Sequence, residues 1–152
     1  MKKRYTRKLA VMMWLSLIGL LPMMAQITKP IEIKSMEQLQ KVLSSPRLRS
    51  DAVTDLPITA NGILVDKNVL VNAGSFRMHG GPLIRAEGYT GILLTVKAGG
   101  NIAIENTIDG ANIDAQNMPL IQIEKEGILS LEKDGVFKNN KGIEHALCLL
   151  NY

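Results

Sequence analysis

Cys148 is the only cysteine and His79 and His145 the only histidines among the 152 residues, so the side chains that build metal centres and nucleophilic triads are almost missing. One cysteine cannot close an internal disulfide, and packing and hydrogen bonding must hold the fold. The setting Leu147-Cys148-Leu149-Leu150 suits a small buried hydrophobe better than a reactive thiol. Two histidines and one cysteine fall short of a zinc ligand set, and there is no Gly-x-Ser-x-Gly elbow to present a nucleophile. Aromatic residues make up 4% of the chain, and beyond residue 25 they are only Phe76, Tyr89, Phe137 and Tyr152. A ring-lined face for stacking sugars is therefore not expected.

The first segment explains a misleading charge. Lys2, Lys3, Arg4, Arg7 and Lys8 precede an apolar run over residues 9–21, and Pro22-Met23-Met24-Ala25 then supplies a small residue for a signal peptidase. This layout reads as a secretory signal peptide over residues 1–25. The run is minimal for a bilayer span and Pro22 interrupts it, so the membrane is expected to be met only during export. Without those five basic residues, 13 Lys and Arg stand against 14 Asp and Glu, and the formal charge falls from +4 to −1. No basic excess remains for nucleic acid. The expected location is extracellular, cell-surface or periplasmic.

The positive signal lies in residues 93–140, where one pattern occurs twice at an offset of 27 residues. Leu94 matches Ile121, Val96 matches Ile123, Gly100 matches Gly127, Ile102 matches Leu129 and Ile104 matches Leu131, with polar residues alternating between them. Alternation at period two marks half-buried strands, and self-similarity at this spacing marks a coil that stacks on itself. Two strands bent around a glycine are predicted in each repeat. Stacking would set like residues about 4.7–4.9 Å apart in aliphatic ladders. On the outside it would pair Lys97 with Glu124 favourably and Glu105 with Glu132 unfavourably.

Upstream of the repeats, residues 26–56 are predicted to hold an entry strand over 27–34, a helix and a loop, and residues 57–152 the coils. The helix covers residues 35–44, with Ser35 as N-cap, Gln38 completing a capping box, and Met36, Leu39, Val42 and Leu43 on one apolar face. A polar loop with Arg47 and Arg49 follows up to Asp55, and strand signals begin at Pro57, with strands predicted over 58–60, 63–65 and 69–71. Turns are predicted at Asp66-Lys67-Asn68 and at residues 87–91. Phe76 and Met78 alternate as a short strand, and Ile108 briefly continues one inside the Asn-, Asp- and Gly-rich stretch 106–117.

The run Val-x-x-Gly-Gly-x-Ile-x-Ile-x-Asn-x-x-Ile-Asp-Gly at residues 96–110, followed by Leu-Ile-x-Ile and the Asn139-Asn140 turn, resembles the right-handed parallel β-helix of the pectate-lyase-like superfamily. It is most similar to the noncatalytic rungs of bacterial surface and adhesin-type proteins. The resemblance implies an all-β solenoid of about three rungs with an N-terminal helical cap. Because stacked coils usually need a cap at each end, the expectation is of the N-terminal part of a longer β-helix, or of a short homo-oligomerising one.

Chemistry is sparsely marked. Asn106-Thr107-Ile108-Asp109 only partly resembles the Asn-Thr-Asp element of polygalacturonases, because Ile108 is inserted and no Asp-Asp pair follows. Arg-x-Pro-x-x-Arg, the lyase element, is missing. Asp109 and Asp114 are the one close pair of exposed carboxylates that glycoside hydrolysis could use, and His79 is the one histidine beside glycines. Turn formation accounts for both aspartates in such sequence. The expectation is thus an exported surface or extracellular protein with a structural or adhesin-like role, without cofactor or metal, whose partner is a surface glycan or a protein. The alternative is the N-terminal fragment of a polysaccharide lyase or glycoside hydrolase, and Asp109, Asp114 and His79 are the residues to follow.

Overall fold

Residues 31–45, 52–115, 118–141 and 147–149 are described by the computed structural model of the chain. Residues 1–25, expected to be a signal peptide, and Arg47, Arg49 and His145 lie outside the described residues.

Alternation of apolar and polar residues in very short segments produces twelve strands among the described residues, which wind into a parallel β-solenoid. They are β1 (Thr54–Ile58), β2 (Ile63–Val65), β3 (Val69–Val71), β4 (Gly74–Gly80), β5 (Leu83–Arg85), β6 (Leu94–Val96), β7 (Gly100–Ile104), β8 (Thr107–Asp109), β9 (Ile121–Ile123), β10 (Ile128–Leu131), β11 (Val136–Lys138) and β12 (Leu147–Leu149). Every third strand joins the same sheet. Sheet A has the order β1-β4-β7-β10, sheet B β2-β5-β8-β11 and sheet C β3-β6-β9-β12. The chain returns to its starting sheet three times, completing about three turns. All pairings are parallel, as expected for a coil that always advances in one direction.

The offset seen in the repeats is the stacking register. Leu94 pairs with Ile121, Val96 with Ile123, Ile102 with Leu129 and Ile104 with Leu131. The expectation of two strands per repeat is corrected to three per turn, because β8 contributes Ile108 as a fully buried residue between Asn106 and Gly110. A three-residue strand shows only one inward side chain, too little for a periodic signal. The offset is also shorter in the first turn, where Leu56 pairs with Met78 across 22 positions. Strand β1 begins at Thr54, inside the stretch expected to be loop. The entry strand is reduced to a bridge between Ile33 and Ile58, with residues 27–30 outside the described part.

Inward residues fill the lumen with aliphatic side chains, and Leu83, Leu94, Val96, Ile102, Ile104, Ile108 and Ile121 are fully buried. On the side of the first turn, helix α1 (Met36–Ser44) lies against β3 and β2. Ser35 Oγ accepts from Gln38 N at 3.3 Å, and Gln38 Oε1 accepts from Lys34 N at 2.8 Å. The reciprocal bond of the predicted capping box thus falls on Lys34 N and not on the N-cap's own N–H. Met36, Leu39 and Leu43 are buried, and Val42 packs partly against them.

The helix also closes a sheet edge. Leu70 of β3 has its peptide groups directed away from β6, and Gln40 meets both: Leu70 N donates to Gln40 Oε1 at 3.0 Å, and Gln40 Nε2 donates to Leu70 O at 3.4 Å. Asn72 N donates to Leu43 O at 3.1 Å and Asn72 Nδ2 to Ser44 O at 3.3 Å, continuing the seam. An open strand edge, which would otherwise template pairing with another chain, is covered. On sheet A the same service comes from Ile33, whose N donates to Pro57 O at 2.7 Å and whose O accepts from Thr59 N at 3.0 Å.

Candidate functional site

The outer face of sheet A gathers more ionisable side chains than the faces beside it, and the pleat explains why. In β4 Phe76 and Met78 point inward, so Arg77 and His79 point outward. Register places Arg77 between Asp55 of β1 and Ala103 of β7, and sets His79 beside Pro57. Glu105 and Glu132 extend the row of His79 past β7 and β10, with Glu105 N bonded to Met78 O at 2.8 Å and Glu132 N to Ile104 O at 2.9 Å.

Arg77 organises this face. Its Nε donates to Glu105 Oε1 at 2.8 Å and Nη2 lies 2.6 Å from the same oxygen. The hydrogen bond that Arg77 donates to Glu105, and then the carboxylate's charge, hold the guanidinium's proton more firmly than usual. Asp55 and Glu132 add to the attraction. The predicted like-charge stacking of Glu105 on Glu132 therefore comes with a cation one turn below. The predicted Lys97–Glu124 pair forms between β6 and β9.

At the corner where sheet A turns into sheet B, a groove of about 430 Å³ is lined by Glu32, Ile58, Ala60, Gly80, Gly81 and Pro82. Close backbone approach shapes its floor, since a Cβ at Gly81 would lie 1.9 Å from Thr59 O. His79 precedes Gly80 in the chain but is not part of the lining.

Asp109 stands elsewhere, at the end of β8 on the outer face of sheet B. Its Oδ1 accepts from Ala111 N at 2.8 Å and from Asn139 Nδ2 at 2.9 Å, and Oδ2 lies 3.4 Å from Lys138 Nζ. Partial burial pushes its pKa up, but Ala111, Asn139 and Lys138 together outweigh that and hold the carboxyl below its ordinary range. The bond to Ala111 is an Asx turn that supports the left-handed backbone at Ala111 (φ 55°) and Asn112 (φ 57°). Asp114 lies beyond that turn, exposed and bridged through its backbone to Lys141. His79 and Asp109 thus occupy different faces. Asn106 and Asp109 are also separated, because Asn106 points inward, 3% exposed, with its Nδ2 on Gly81 O at 2.7 Å.

Sequence reasoning missed an inward cation. Arg85 ends β5 on the same side as Leu83 and is 1% exposed. Its Nη2 donates to Gly91 O at 3.2 Å and Nη1 to Asn140 Oδ1 at 3.0 Å, while Nε has no partner. Gly110 stands between Arg85 and Asn139 in the stack and has no side chain to obstruct that reach across a turn. Asn140 Nδ2 continues to Met118 O at 3.3 Å. Burial lowers the Arg85 pKa, and the neighbouring Tyr89 phenol opposes the change. Among the described residues no carboxylate pairs with Arg85. The missing side chain at Gly110, followed 30 positions later by Asn140, was the only trace in the sequence.

Among the described residues no helix is long and apolar enough to cross a membrane. No protein-family model matches the chain, and neither the curated proteins nor the solved structures compared with it include a significant match.

Proposed function

We propose that this chain is an exported scaffold, a right-handed β-helix akin to the noncatalytic rungs of the pectate-lyase-like superfamily, which acts by presenting a surface to a glycan or protein. The observation that carries the reading is how the outward charges are used. Arg77 binds Glu105, Lys97 binds Glu124, and Lys138 approaches Asp109, each joining one turn to the next. Asp109 also holds a turn through Ala111 N. Charged groups spent on stitching turns together suit a surface built for rigidity, because a catalytic carboxylate must keep a face open to substrate.

Two experiments test the reading. Expression of the full chain in an exporting bacterial host, followed by N-terminal sequencing of the product, is expected to show cleavage after Ala25; an uncleaved cytoplasmic product overturns export. Incubation with pectin and other uronic-acid polymers is expected to give no new reducing ends and no unsaturated products. Turnover that disappears in Asp109→Asn overturns the scaffold role in favour of a polysaccharide-degrading enzyme.

A further inference from the structure

Asn61 is followed by Gly62, and every other asparagine of the chain precedes a residue that carries a side chain. The difference is chemical. A peptide nitrogen can attack the side-chain carbonyl carbon of an asparagine just before it, and a Cβ on the attacking residue crowds that approach, whereas glycine leaves it open. Asn61 is exposed, at the third position of the turn from Thr59 to Gly62 that joins β1 to β2, and Gly62 has φ +78°. Asp109-Gly110 and Asp134-Gly135 have the same spacing, but a carboxylate ionised at neutral pH resists a nucleophile and offers no ready leaving group.

We propose that Asn61-Gly62 is a site of self-modification, at which the asparagine amide is hydrolysed through a cyclic imide, and that the stacking of the second turn on the first holds the reaction back. The Gly62 nitrogen gives its proton to hydroxide and bonds to Asn61 Cγ. The Cγ–Nδ2 bond then breaks, and ammonia leaves with a proton taken from water, which restores the hydroxide. A second water opens the imide at either carbonyl, leaving an aspartate at position 61 or its isomer in which the main chain runs through Cβ and Cγ. One water enters overall, one ammonia leaves, and nothing is oxidised or reduced.

Three contacts restrain the nucleophile. Gly62 N donates to Thr59 O at 2.8 Å and must leave that bond before it can cyclise. Pro82 lies so close that a Cβ on Gly62 would sit 2.6 Å from Pro82 O and 2.8 Å from Pro82 Cγ, and Ile63 N is tied to the same carbonyl at 2.9 Å. Gly81 crowds the peptide as well, since a Cβ on it would lie 2.9 Å from Gly62 N. Rotation of the Gly62 peptide therefore needs the second turn to lift, and the rate follows the population of that local opening. The products matter because of where they form. Either one places a negative charge one residue from Ala60, which lines the corner groove together with Glu32. The isomer also lengthens the backbone of a turn that Gly81 leaves without slack.

The test is incubation of the full chain in warm, mildly alkaline buffer, folded and in urea, followed by peptide mapping with mass spectrometry. Conversion is expected first at Asn61, with ammonia released, and is expected to be slower in the folded chain by about tenfold or more. Asn61→Gln should abolish it at this position, because the longer side chain would have to close a larger ring. Pro82→Ala removes the ring atoms that lie over Gly62 and should speed conversion of the folded chain, as should Gly81→Ala where it folds. Asn140→Leu, which weakens the stack at its other end, should not. A folded chain that converts as fast as the unfolded one overturns the proposal. So does faster conversion at another asparagine, or an acceleration by Asn140→Leu equal to that by Pro82→Ala, which would make global unfolding the gate. None of these results bears on the scaffold role, since that role fails on polymer turnover.

Discussion

The side-chain amide of Gln40 meets the backbone peptide of Leu70 through both its oxygen and its nitrogen, as a neighbouring strand would. One residue of a helix thereby does for sheet C what a further turn of the solenoid would otherwise do. The arrangement turns an edge that could recruit another chain into a closed surface.

Gln40→Ala removes both of these bonds and is expected to destabilise the chain by about 1–3 kcal/mol, at roughly 0.5–1.5 kcal/mol net per hydrogen bond. Gln40→Glu keeps an acceptor for Leu70 N but presents a second acceptor to Leu70 O, so it should be no better than alanine at neutral pH. Urea midpoints with an unchanged slope check both.

Arg85 and Asn140 make an asymmetric pair. Arg85→Met is expected to lie within about 1 kcal/mol of the parent or above it, because an apolar side chain replaces a desolvated cation that has no carboxylate beside it among the described residues. Asn140→Leu should cost about 1–3 kcal/mol, since it removes an acceptor and leaves the guanidinium buried. A double-mutant cycle in which Asn140→Leu costs less on the Arg85→Met background would verify the coupling; additivity would refute it.

Acid should weaken the corner held by Asp109. Its folded pKa lies below the usual value, so its contribution is complete above the ordinary carboxylate range and is lost as pH falls through the folded value. Asp109→Asn keeps an acceptor for Ala111 N while removing the charge. Between neutral pH and about pH 3 the parent is expected to lose more stability than this variant, read from urea unfolding at each pH.

Gly81→Ala should be among the most damaging single substitutions, because the new methyl would lie 1.9 Å from Thr59 O and only backbone movement between the first two turns relieves it. A loss of about 3 kcal/mol or more is expected. Gly88→Ala, where no atom lies within 4 Å but φ is +79°, should cost only about 1 kcal/mol. Comparable thermal midpoints for the two variants would contradict the packing argument.

The parts of this fold legible in the sequence were those that repeat chemistry. Leu94 below Ile121 and Ile104 below Leu131 announce themselves because a buried column admits only aliphatic residues, and the helix at 36–44 because caps and an apolar face coincide. Strand β8 was only partly legible, since a single inward residue, Ile108, carries no period. The first-turn strands at 63–65 and 69–71 were legible singly, but not as members of the repeat, because the register of the first turn with the second differs from 27. Arg85 escaped because charge ordinarily marks an outward position, and the acceptor that admits it indoors lies 55 residues on. The partners of Asp109 at Lys138 and Asn139 are equally remote in the chain.

In a stack where each layer answers only to those beside it, unfolding can proceed one layer at a time from whichever end is weaker. Arg85 breaks that rule by gripping Asn140 across the intervening layer, so the top cannot fray without also releasing a group anchored near the bottom. The chain should consequently melt less like a zipper than like a latched box, in a single sharp step.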